Sequence, residues 1–591
     1  MSRIIKPVIR RIFSHSALKT TVKDQNKMKA IVKTIEEGER MQISFDFALK
    51  SGKLRAFNFN RSMTEEVGKT LTRMTENINK QVLKGLKKKK KKQAATESAD
   101  IEEKLVSVQL FKKGIEVQST EATGTAFTDD TTLIIDDIHY DVDVNTPAVS
   151  NLQLPQHIMP GFCVFPKVEL EFSSLKECEF EWFIETSTSE ASASASPESV
   201  WVSVQNTFGF TPLNEHIGKK VRVRCTPRNA NKLGESFETV SESEVSSSPG
   251  FCPYMTRHEF TKSKPEQGFR IISYNLLADY YADSDFSREH LFPYCPHYAL
   301  DIDYRQQLFT AEIIGYNADI ICLQECDRKV FERHLSPILD MQGFGGVFNV
   351  KGTTAEGSAV YFNRNKFSVV SSHGIQLSEF IKESPLANDL HSKLSKNEVV
   401  LEQVINRSTS LQIVLLQCTN SQKYILIATT HLYWHPTADH IRVIQTAACL
   451  TYIQDQLNKF EKEGKDVAVI FSGDLNSNPV SANTNFLKDG SISADSSVWK
   501  CRGEEEFVPE MNLTHDFNWF SACGFPKYTN FTAGFRDCLD YIYVRENEFE
   551  VKQVIPLPSK EELELYTAIP SVVVPSDHLA IVCDLDFKTN L

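Results

Sequence analysis

The sequence lacks the features that mark membrane proteins, disulfide-rich secreted proteins and zinc proteins. No apolar run approaches the ~20 residues that a bilayer-spanning helix needs, so we expect no membrane span. The 13 cysteines are scattered and form no C-x-x-C pair, which favours reduced thiols. Neither the phosphate loop G-x-x-x-x-G-K-[ST] nor the serine-hydrolase elbow G-x-S-x-G occurs. The sequence therefore gives no support to these classes.

The chain also has no excess of positive charge. The formal net charge is -12, so bulk attraction cannot bind nucleic acid, and any polyanion site must be a local patch or use a metal. With 41% hydrophobic and 24% charged residues, most of the chain should be globular. At 591 residues the chain is too long for a single core.

The N-terminal residues reverse this acidic balance. No acidic residue precedes Asp24, and basic residues such as Arg3, Lys6 and Arg10 alternate with aliphatic ones. Such a basic, acid-free, amphipathic start is typical of a mitochondrial transit peptide, which we place at residues 1–30, with an ordinary basic tail as the alternative. A transit peptide predicts a protein of the mitochondrial matrix.

Two regions without catalytic motifs follow. Residues 33–144 predict a small α+β unit, in which Thr64–Leu83 has the apolar spacing of a helix. The lysine run that begins at Lys84 is interpreted as a solvated linker in preference to an RNA-binding arm. Residues 151–248 alternate apolar with polar side chains and predict an antiparallel β-sandwich, either a passive domain or a binding module.

Residues 262–591 have the pattern of one large α/β domain, because strand-like apolar runs alternate with helical segments. The predicted helices are Tyr304–Tyr316 and Thr437–Phe460. The predicted strands are Arg270–Ser273, Asp319–Gln324, Ser358–Phe362, Leu411–Leu416, Tyr424–Thr430, Val467–Ser472, Leu539–Val544 and Ala580–Leu585.

Polar side chains recur at the ends of these strands. They are Asn275, Glu325, His431, Asp474 and Asn476 after strands, and Asp540, Asp577 and His578 at or before strand starts. Each alone has an ordinary explanation, such as a cap, a core histidine or, for Asp474 and Asn476, an Asx turn. Together they indicate a site at the strand ends of an α/β sheet.

The residue types narrow the chemistry. Asn275, Glu325, Asp474 and Asn476 offer hard oxygen ligands, which suit Mg²⁺ or Mn²⁺ better than zinc. Such a metal serves phosphoryl chemistry. In that reading His578, paired with Asp540, takes a proton from water, and His431 bonds the phosphate.

The motifs resemble those of the deadenylase branch of the endonuclease/exonuclease/phosphatase superfamily. They are Ser273–Asp279, Leu323–Glu325, Thr430–Pro436, Ser472–Pro479, Leu539–Tyr541 and Ser576–His578. Further segments, including Phe292–Arg305, Val554–Ser559 and, upstream, Ile158–Phe162, resemble the 2′,5′-phosphodiesterase group of that branch. The resemblance covers roughly residues 151–586. It implies a two-sheet α/β sandwich for the C-terminal domain, preceded by a β-rich domain that corresponds to the predicted all-β sandwich. The small α+β unit predicted from the pattern of residues 33–144 comes before both.

The resemblance also implies roles at the centre of the site. Glu325 would be the central Mg²⁺ ligand, with Asn275 near it, and Asp474 would orient or activate water. Asn476 would contact the scissile phosphate, and His431 would stabilise the developing charge. Asp540 would hold His578, and Asp577 with His578 would complete the metal and water site.

The same resemblance implies a base-binding region. Pro436, Asn476 and Phe531 occupy the places where deadenylases pack around a nucleobase, and stacking of this kind is worth ~1–3 kcal/mol. His435 stands where many deadenylases have Asp. It would tune the preference for nucleotide or linkage, or lie as a solvent-facing neighbour of Pro436.

The function implied is that of a Mg²⁺-dependent 3′-exoribonuclease and phosphodiesterase, with Mn²⁺ as the other candidate ion. Its substrates would be single-stranded RNA with 3′ adenylate, in the poly(A) tails of mitochondrial RNA, and 2′,5′-oligoadenylate, and it would release AMP. The alternatives are a nocturnin-like dinucleotide phosphatase and an RNA-binding scaffold without activity. We infer no membrane association and no stable protein partner.

Overall fold

The computed structural model describes residues 28–35, 39–49, 54–92, 105–186, 200–500 and 502–588. Its contacts divide the chain into two compact units, Met1–Ala148 with Lys232–Gly234, and Val149–Asn231 with Glu235–Leu591. Within the described ranges, no helix combines the length and the apolar character that crossing a membrane requires.

The first unit is a mixed sheet with one long helix. Its seven strands lie in the order β3-β2-β1-β7-β6-β4-β5. Met41, Ile43, Phe45 and Phe47 alternate along β2 into a core that also takes Met74 and Ile78 from α1. The elements are β1 (Met28–Ile35), β2 (Arg40–Ala48), β3 (Leu54–Ser62), α1 (Val67–Lys92), β4 (Val108–Lys112), β5 (Ile115–Glu116), α2 (Thr123–Ala126), β6 (Thr131–Ile135) and β7 (Ile138–Val144).

Two boundaries in this unit differ from expectation. Helix α1 continues through the lysine run to Lys92, whereas a linker was expected from Lys84. Lysine is a good helix former and no proline interrupts the run, so the helix can extend past its packed part. Strand β1 begins at Met28, inside the predicted transit peptide of residues 1–30. The remainder of that segment lies outside the described residues.

The second unit begins with a β-rich region. A four-stranded antiparallel sheet, in the order β11-β10-β12-β13, and a hairpin-like pair β8-β9 share a core around the fully buried Trp182. Lys167 in this region pairs with Asp303 at 2.9 Å, so the region packs directly on the α/β part of the same unit. The strands are β8 (Ala148–Gln153), β9 (Lys167–Glu171), β10 (Glu179–Thr186), β11 (Val200–Gln205), β12 (Val221–Thr226) and β13 (Phe237–Val240).

The α/β part contains all eight strands predicted there, and both predicted helices. Its strands are β14 (Phe269–Asn275), β15 (Ile320–Asp327), β16 (Phe344–Val350), β17 (Glu356–Asn363), β18 (Phe367–Gln376), β19 (Ser410–Cys418), β20 (Tyr424–His431), β21 (Val467–Asp474), β22 (Ser491–Ile492), β23 (Leu513–Thr514), β24 (Trp519–Ser521), β25 (Asn530–Phe531), β26 (Arg536–Asp537), β27 (Asp540–Arg545), β28 (Phe549–Val554) and β29 (Ile581–Phe587). Its helices are α3 (Tyr254–His258), α4 (Asp279–Ala282), α5 (His297–Leu300), α6 (Ile302–Gly315), α7 (Arg328–Val330), α8 (Ser336–Met341), α9 (Leu377–Glu383), α10 (Asn388–Leu394), α11 (Glu398–Ile405), α12 (Asp439–Lys462), α13 (Ala482–Asp489) and α14 (Lys560–Glu564).

Most of these strands form two six-stranded sheets. Sheet one has the order β16-β17-β15-β14-β29-β28, and sheet two has the order β18-β19-β20-β21-β27-β24. Each sheet contains one parallel pair, β14 with β15 and β20 with β21, while the remaining neighbours are antiparallel. The predicted two-sheet α/β sandwich is thus confirmed.

Apolar layers hold the sheets together. A core between them takes Ile271 and Val360 from sheet one and Ile427 and Ile470 from sheet two. The outer face of sheet one packs against α6 and α8, and that of sheet two against α12 and the α9–α11 segment. Both faces of the central strands are buried, which explains why their sequences are nearly continuous apolar runs.

Candidate active site

The strand ends of both sheets meet in one cluster of polar side chains. In sheet two, His431 and Asp474 lie side by side at the carboxyl ends of β20 and β21. Asp540 begins β27 directly opposite Asp474. From sheet one, Asn275 at the end of β14 reaches across to Asp474. The cluster is therefore built from both sheets.

Asp474 is the centre of this cluster. Its Oδ2 accepts a hydrogen bond from Asn275 Nδ2 at 3.0 Å and lies 3.6 Å from His431 Nε2 and 3.5 Å from His578 Nε2. Its Oδ1 accepts the backbone N–H of Asn476 at 2.9 Å. Burial raises the pKa of Asp474 to about 6, and the charge of His578 opposes this rise.

Glu325 faces Asp474 from sheet one. Its Oε1 accepts Asn275 Nδ2 at 3.1 Å, and its Oε2 accepts the backbone N–H of Ala278 at 2.9 Å. Burial, followed by the nearby charges of Glu356 and Asp577, raises its pKa to about 7. A cluster of carboxylates that repel one another in a buried site is the electrostatic setting that a divalent cation relieves.

The backbone at two strand ends is held in the left-handed region. Glu325 has φ +48° and lies where the pairing of β15 with β17 shifts register, and Asn476 also has φ +48°. A bulge of this kind re-aims a side chain, and a non-glycine residue at positive φ costs roughly 1–3 kcal/mol.

Position 473 requires glycine because the neighbouring backbone approaches it closely. Its φ is +141°, and a Cβ there would lie 1.9 Å from the carbonyl oxygen of Thr430.

His578 and Asp540 form a buried pair. His578 Nδ1 lies 2.7 Å from Asp540 Oδ2, which also accepts Thr529 Oγ1 at 2.6 Å. Burial disfavours the imidazolium, but the carboxylates of Asp540, Asp474 and Asp577 outweigh it and raise the pKa of His578 well above its usual range. The pair fixes the ring so that Nε2 points toward Asp474.

The pKa of His431 is shifted in the opposite direction from that of His578. Burial lowers its pKa well below the usual range, and the charges of Lys351 and His578 lower it further. Its Nδ1 lies 3.3 Å from Lys351 Nζ and 3.7 Å from Glu325 Oε1. His431 is therefore a neutral imidazole, which can act as a hydrogen-bond donor at a phosphate.

The residues present fit a divalent metal of the magnesium type. Asp540 Oδ1 and Asp577 Oδ1 are buried and accept no hydrogen bond from the described residues. Ligand atoms of Asp474, Asp540 and His578 lie within 4.8 Å of one another. Oδ2 of Asp540 already bonds His578 and Thr529. We therefore assign Asp540 the role of orienting His578 and not that of a metal ligand. Glu325, Asp474 and Asp577 carry carboxylate oxygens of the hard type that Mg²⁺ prefers, and they are the residues that would hold such an ion.

Two asparagines have contacts other than those expected. Asn275 was predicted to ligate the metal, but its Oδ1 accepts the N–H of Leu277 at 3.0 Å, and its amide nitrogen bridges the two carboxylates. Asn476 was predicted to contact the phosphate and the base, but its Nδ2 donates to the carbonyl of Leu432 at 2.9 Å. In this conformation both amides hold the site together.

The predicted base-binding residues are not equally accessible. Pro436 is exposed and His435 is half-buried, with its Nδ1 3.1 Å from Thr437 Oγ1. Phe531 is only 1% exposed, and the Arg536 guanidinium lies 4.2 Å from its ring centroid. Its ring therefore lacks an open face for a base. Phe531 lies in β25 and packs into an apolar cluster with Leu563 and Ile569, which the motif alone could not reveal.

Four further residues support the site and were missed in the sequence. Thr529 bonds Asp540, and Asn530 Nδ2 donates to Asp577 Oδ2 at 3.2 Å. Lys351 lies between His431 and Glu356, 3.2 Å from the Glu356 carboxylate. Thr529 and Asn530 directly precede Phe531 in the sequence, so their position next to a predicted site residue could have indicated them. Lys351 and Glu356 lie in no motif.

Comparison with known protein families identifies two matching regions. Residues 272–578 match the endonuclease/exonuclease/phosphatase family, and residues 146–246 match the N-terminal domain of proteins like 2′,5′-phosphodiesterase 12. The first match contains every residue of the cluster from Asn275 to His578. The second covers the β-rich region.

Curated relatives extend the match over nearly the whole chain. The 2′,5′-phosphodiesterase 12 of Rattus norvegicus is 40% identical over 95% of this chain and 94% of its own length, and that of Homo sapiens is 40% identical over the same shares. The CCR4-Not complex 3′-5′-exoribonuclease subunit Ccr4 of Saccharomyces cerevisiae is 26% identical over 54% of this chain and 39% of its own length.

Proposed function

We propose the following reaction for this chain, which belongs to the endonuclease/exonuclease/phosphatase family and, within it, to the group of 2′,5′-phosphodiesterase 12. The protein is a phosphodiester hydrolase. Its substrates are 2′,5′-linked oligoadenylates and the 3′ adenylate tails of single-stranded RNA, and it releases AMP. One observation carries the proposal: Asp474 lies within 3.6 Å of Asn275, His431 and His578 in a buried centre that also contains Glu325.

The residues of the site have separate roles in hydrolysis. Glu325, Asp474 and Asp577 would hold Mg²⁺, and Mn²⁺ would serve in its place; when bound, the ion polarises the phosphate and offsets the charge that develops on the leaving oxygen. Asp474 orients water and receives its proton, and His578, held by Asp540 and protonated because its pKa is raised, faces the Asp474 carboxylate. His431, neutral and buried, donates a hydrogen bond to a phosphate oxygen.

Purified protein with Mg²⁺ and paired 2′,5′- and 3′,5′-triadenylates tests the reaction. We expect AMP from both substrates, and the ratio of the rates gives the linkage preference. Glu325→Ala should abolish AMP release, and addition of a chelator should do the same. Release of inorganic phosphate without AMP would instead establish a nocturnin-like phosphatase, and unchanged activity of Glu325→Ala would refute the metal-centred mechanism.

We also propose that the protein works in the mitochondrial matrix, on mitochondrial RNA. The basic, acid-free N-terminal sequence supports this location. A fusion of residues 1–30 to a fluorescent reporter should enter mitochondria, and a fusion that replaces the arginines with glutamates should remain outside. A cytosolic signal from the first fusion would overturn the assignment.

A further inference from the structure

An exposed tryptophan, Trp434, follows His431 of the catalytic centre by three residues. Trp434 is 65% exposed, whereas Trp182, Trp499 and Trp519 are buried and Trp201 is half-buried. All five tryptophans of the chain lie in its described part. Exposed aromatic rings next to a phosphodiester site are the groups on which the bases of single-stranded nucleic acid stack, which makes Trp434 a candidate base-binding residue.

The position of Trp434 is tied to the catalytic residues. It is three residues beyond His431, so their Cα atoms are at most about 11 Å apart. Between them, the N–H of Leu432 donates to the Asp474 carbonyl at 3.0 Å, and its carbonyl accepts Asn476 Nδ2 at 2.9 Å. The segment that bears the tryptophan is thus fastened to both catalytic strand ends of sheet two.

Buried polar side chains of α12 hold this segment in place. Gln445 Oε1 accepts the N–H of Tyr433 at 3.0 Å. The guanidinium of Arg442, which is 4% exposed, donates to the carbonyls of Tyr433 at 3.2 Å, His435 at 2.6 Å and Pro436 at 3.3 Å. A rigid segment with an exposed ring loses little conformational entropy when a ligand stacks on it.

The neighbouring rings give the tryptophan an aromatic setting. The centroid of the Trp434 ring is 5.4 Å from that of His435 and 6.0 Å from that of Tyr433. Arg407 lies 4.1 Å from the Tyr433 ring centroid. Flat aromatic surfaces with cationic partners are the usual means by which single-stranded nucleic acid is bound without regard to sequence.

We propose that Trp434 is a stacking platform for an adenine base of the oligonucleotide, on a nucleotide next to the scissile phosphate. This inference rests on the proposed function, because it requires a substrate with more than one base. It gives the site a base-binding surface that is open, in contrast to the buried Phe531. The platform sets how strongly the enzyme favours oligonucleotides over simple phosphodiesters.

The first test compares kcat/KM for 2′,5′-triadenylate with that for bis(p-nitrophenyl) phosphate, which has no base. Trp434→Ala should lower the ratio of these two values roughly 5- to 150-fold, mainly through KM for triadenylate, as expected for loss of one stacked base. Trp434→Phe should restore most of it. Phe251→Ala removes another exposed ring, 60% exposed and outside both matched family regions, and should leave the ratio unchanged. An unchanged ratio in Trp434→Ala would overturn the inference.

A binding test separates this inference from the proposed function. In Glu325→Gln without metal, triadenylate should quench tryptophan fluorescence, whereas inorganic phosphate should not. The same titration of the double variant Glu325→Gln with Trp434→Phe should lose the quenching. Quenching that persists would overturn the platform. Quenching lost as expected, together with no AMP release by the wild-type enzyme with Mg²⁺, would retain the platform and refute the proposed reaction.

Discussion

The two sheets of the α/β part have the same spatial layout but contribute different chemistry. Each has a parallel pair at its centre, flanked on one side by an antiparallel strand from near the C-terminus, β29 in sheet one and β27 in sheet two. At corresponding strand ends sheet one places Asn275 and Glu325, where sheet two places Asp474 and His431. At the returning strands, Asp577-His578 corresponds to Asp540.

The difference shows why the site needs both sheets. Sheet one brings Glu325 and Asp577, which we propose as metal ligands, and sheet two brings the central Asp474 and the neutral His431. The His578–Asp540 pair crosses between the sheets, since His578 next to sheet one is oriented by Asp540 of sheet two at 2.7 Å. Either sheet alone would present only isolated polar residues at its strand ends. Each of those residues has an ordinary structural explanation.

The strongest test of this comparison removes one carboxylate from each sheet. Glu325→Gln in sheet one and Asp474→Asn in sheet two should each reduce kcat on triadenylate by about 10³- to 10⁴-fold, because both act on the same reacting phosphate. The measurement is AMP release under saturating substrate and Mg²⁺.

The double variant sharpens the comparison. If the sheets act as one unit, Glu325→Gln with Asp474→Asn should be little worse than either single variant, because effects of residues that act as a unit do not add. Additive losses would mean that the sheets contribute independently. Circular dichroism and thermal melting of all three variants should exclude unfolding as the cause.

The next largest effect should come from the pair that crosses between the sheets. Asp540→Asn removes the carboxylate that orients His578, and we expect a loss of about 10²- to 10³-fold in kcat. The control is Asp537→Asn, since Asp537 contacts Asn478 at 3.1 Å and lies outside the cluster. Equal losses of kcat in both variants would show that Asp540 has only a structural role.

Much of this arrangement was predictable from the sequence, and the limits have physical causes. Strand ends such as Asn275 and Asp474 follow long apolar runs, so the fold and the cluster could both be predicted. Short or exposed strands such as β16 and β18 lack that signal. Lys351 and Glu356 reach the site only through the pairing of β16 with β17, and burial of Phe531 depends on packing. Such tertiary contacts cannot be inferred from local patterns.

A buried histidine in the layer outside sheet one should make the fold sensitive to acid. His334, against sheet one's helix α6, bonds Thr310 Oγ1 at 2.8 Å, and burial lowers its pKa to about 4. The folded state therefore binds fewer protons than the unfolded state, whose histidine pKa is about 6.5. The stabilising effect is complete above pH 6.5 and is lost as the pH falls toward 4, a loss of about 3 kcal/mol.

Denaturant titrations at several pH values measure this slope. His334→Gln should make the slope shallower, because the amide keeps a hydrogen-bonding group and cannot take up a proton. The exposed His297 provides the matched control, and His297→Gln should keep the wild-type slope. If His334→Gln has the same slope as the wild type, the acid sensitivity arises elsewhere in the protein.

The smallest of these effects should come from the amide that joins the two sheets. Asn275 of sheet one bonds Glu325 at 3.1 Å and Asp474 of sheet two at 3.0 Å, so it keeps the two carboxylates at a fixed separation. Asn275→Ala leaves both carboxylates free to move and should cost about 10- to 100-fold in kcat/KM, corresponding to one or two hydrogen bonds to charged groups. If Asn275 ligates the metal instead, the loss should be recovered at high Mg²⁺. If Asn275 is a spacer, saturating Mg²⁺ should restore little of the activity, because the two carboxylates are still misplaced. The cooperation of the two sheets then depends on this single amide bridge.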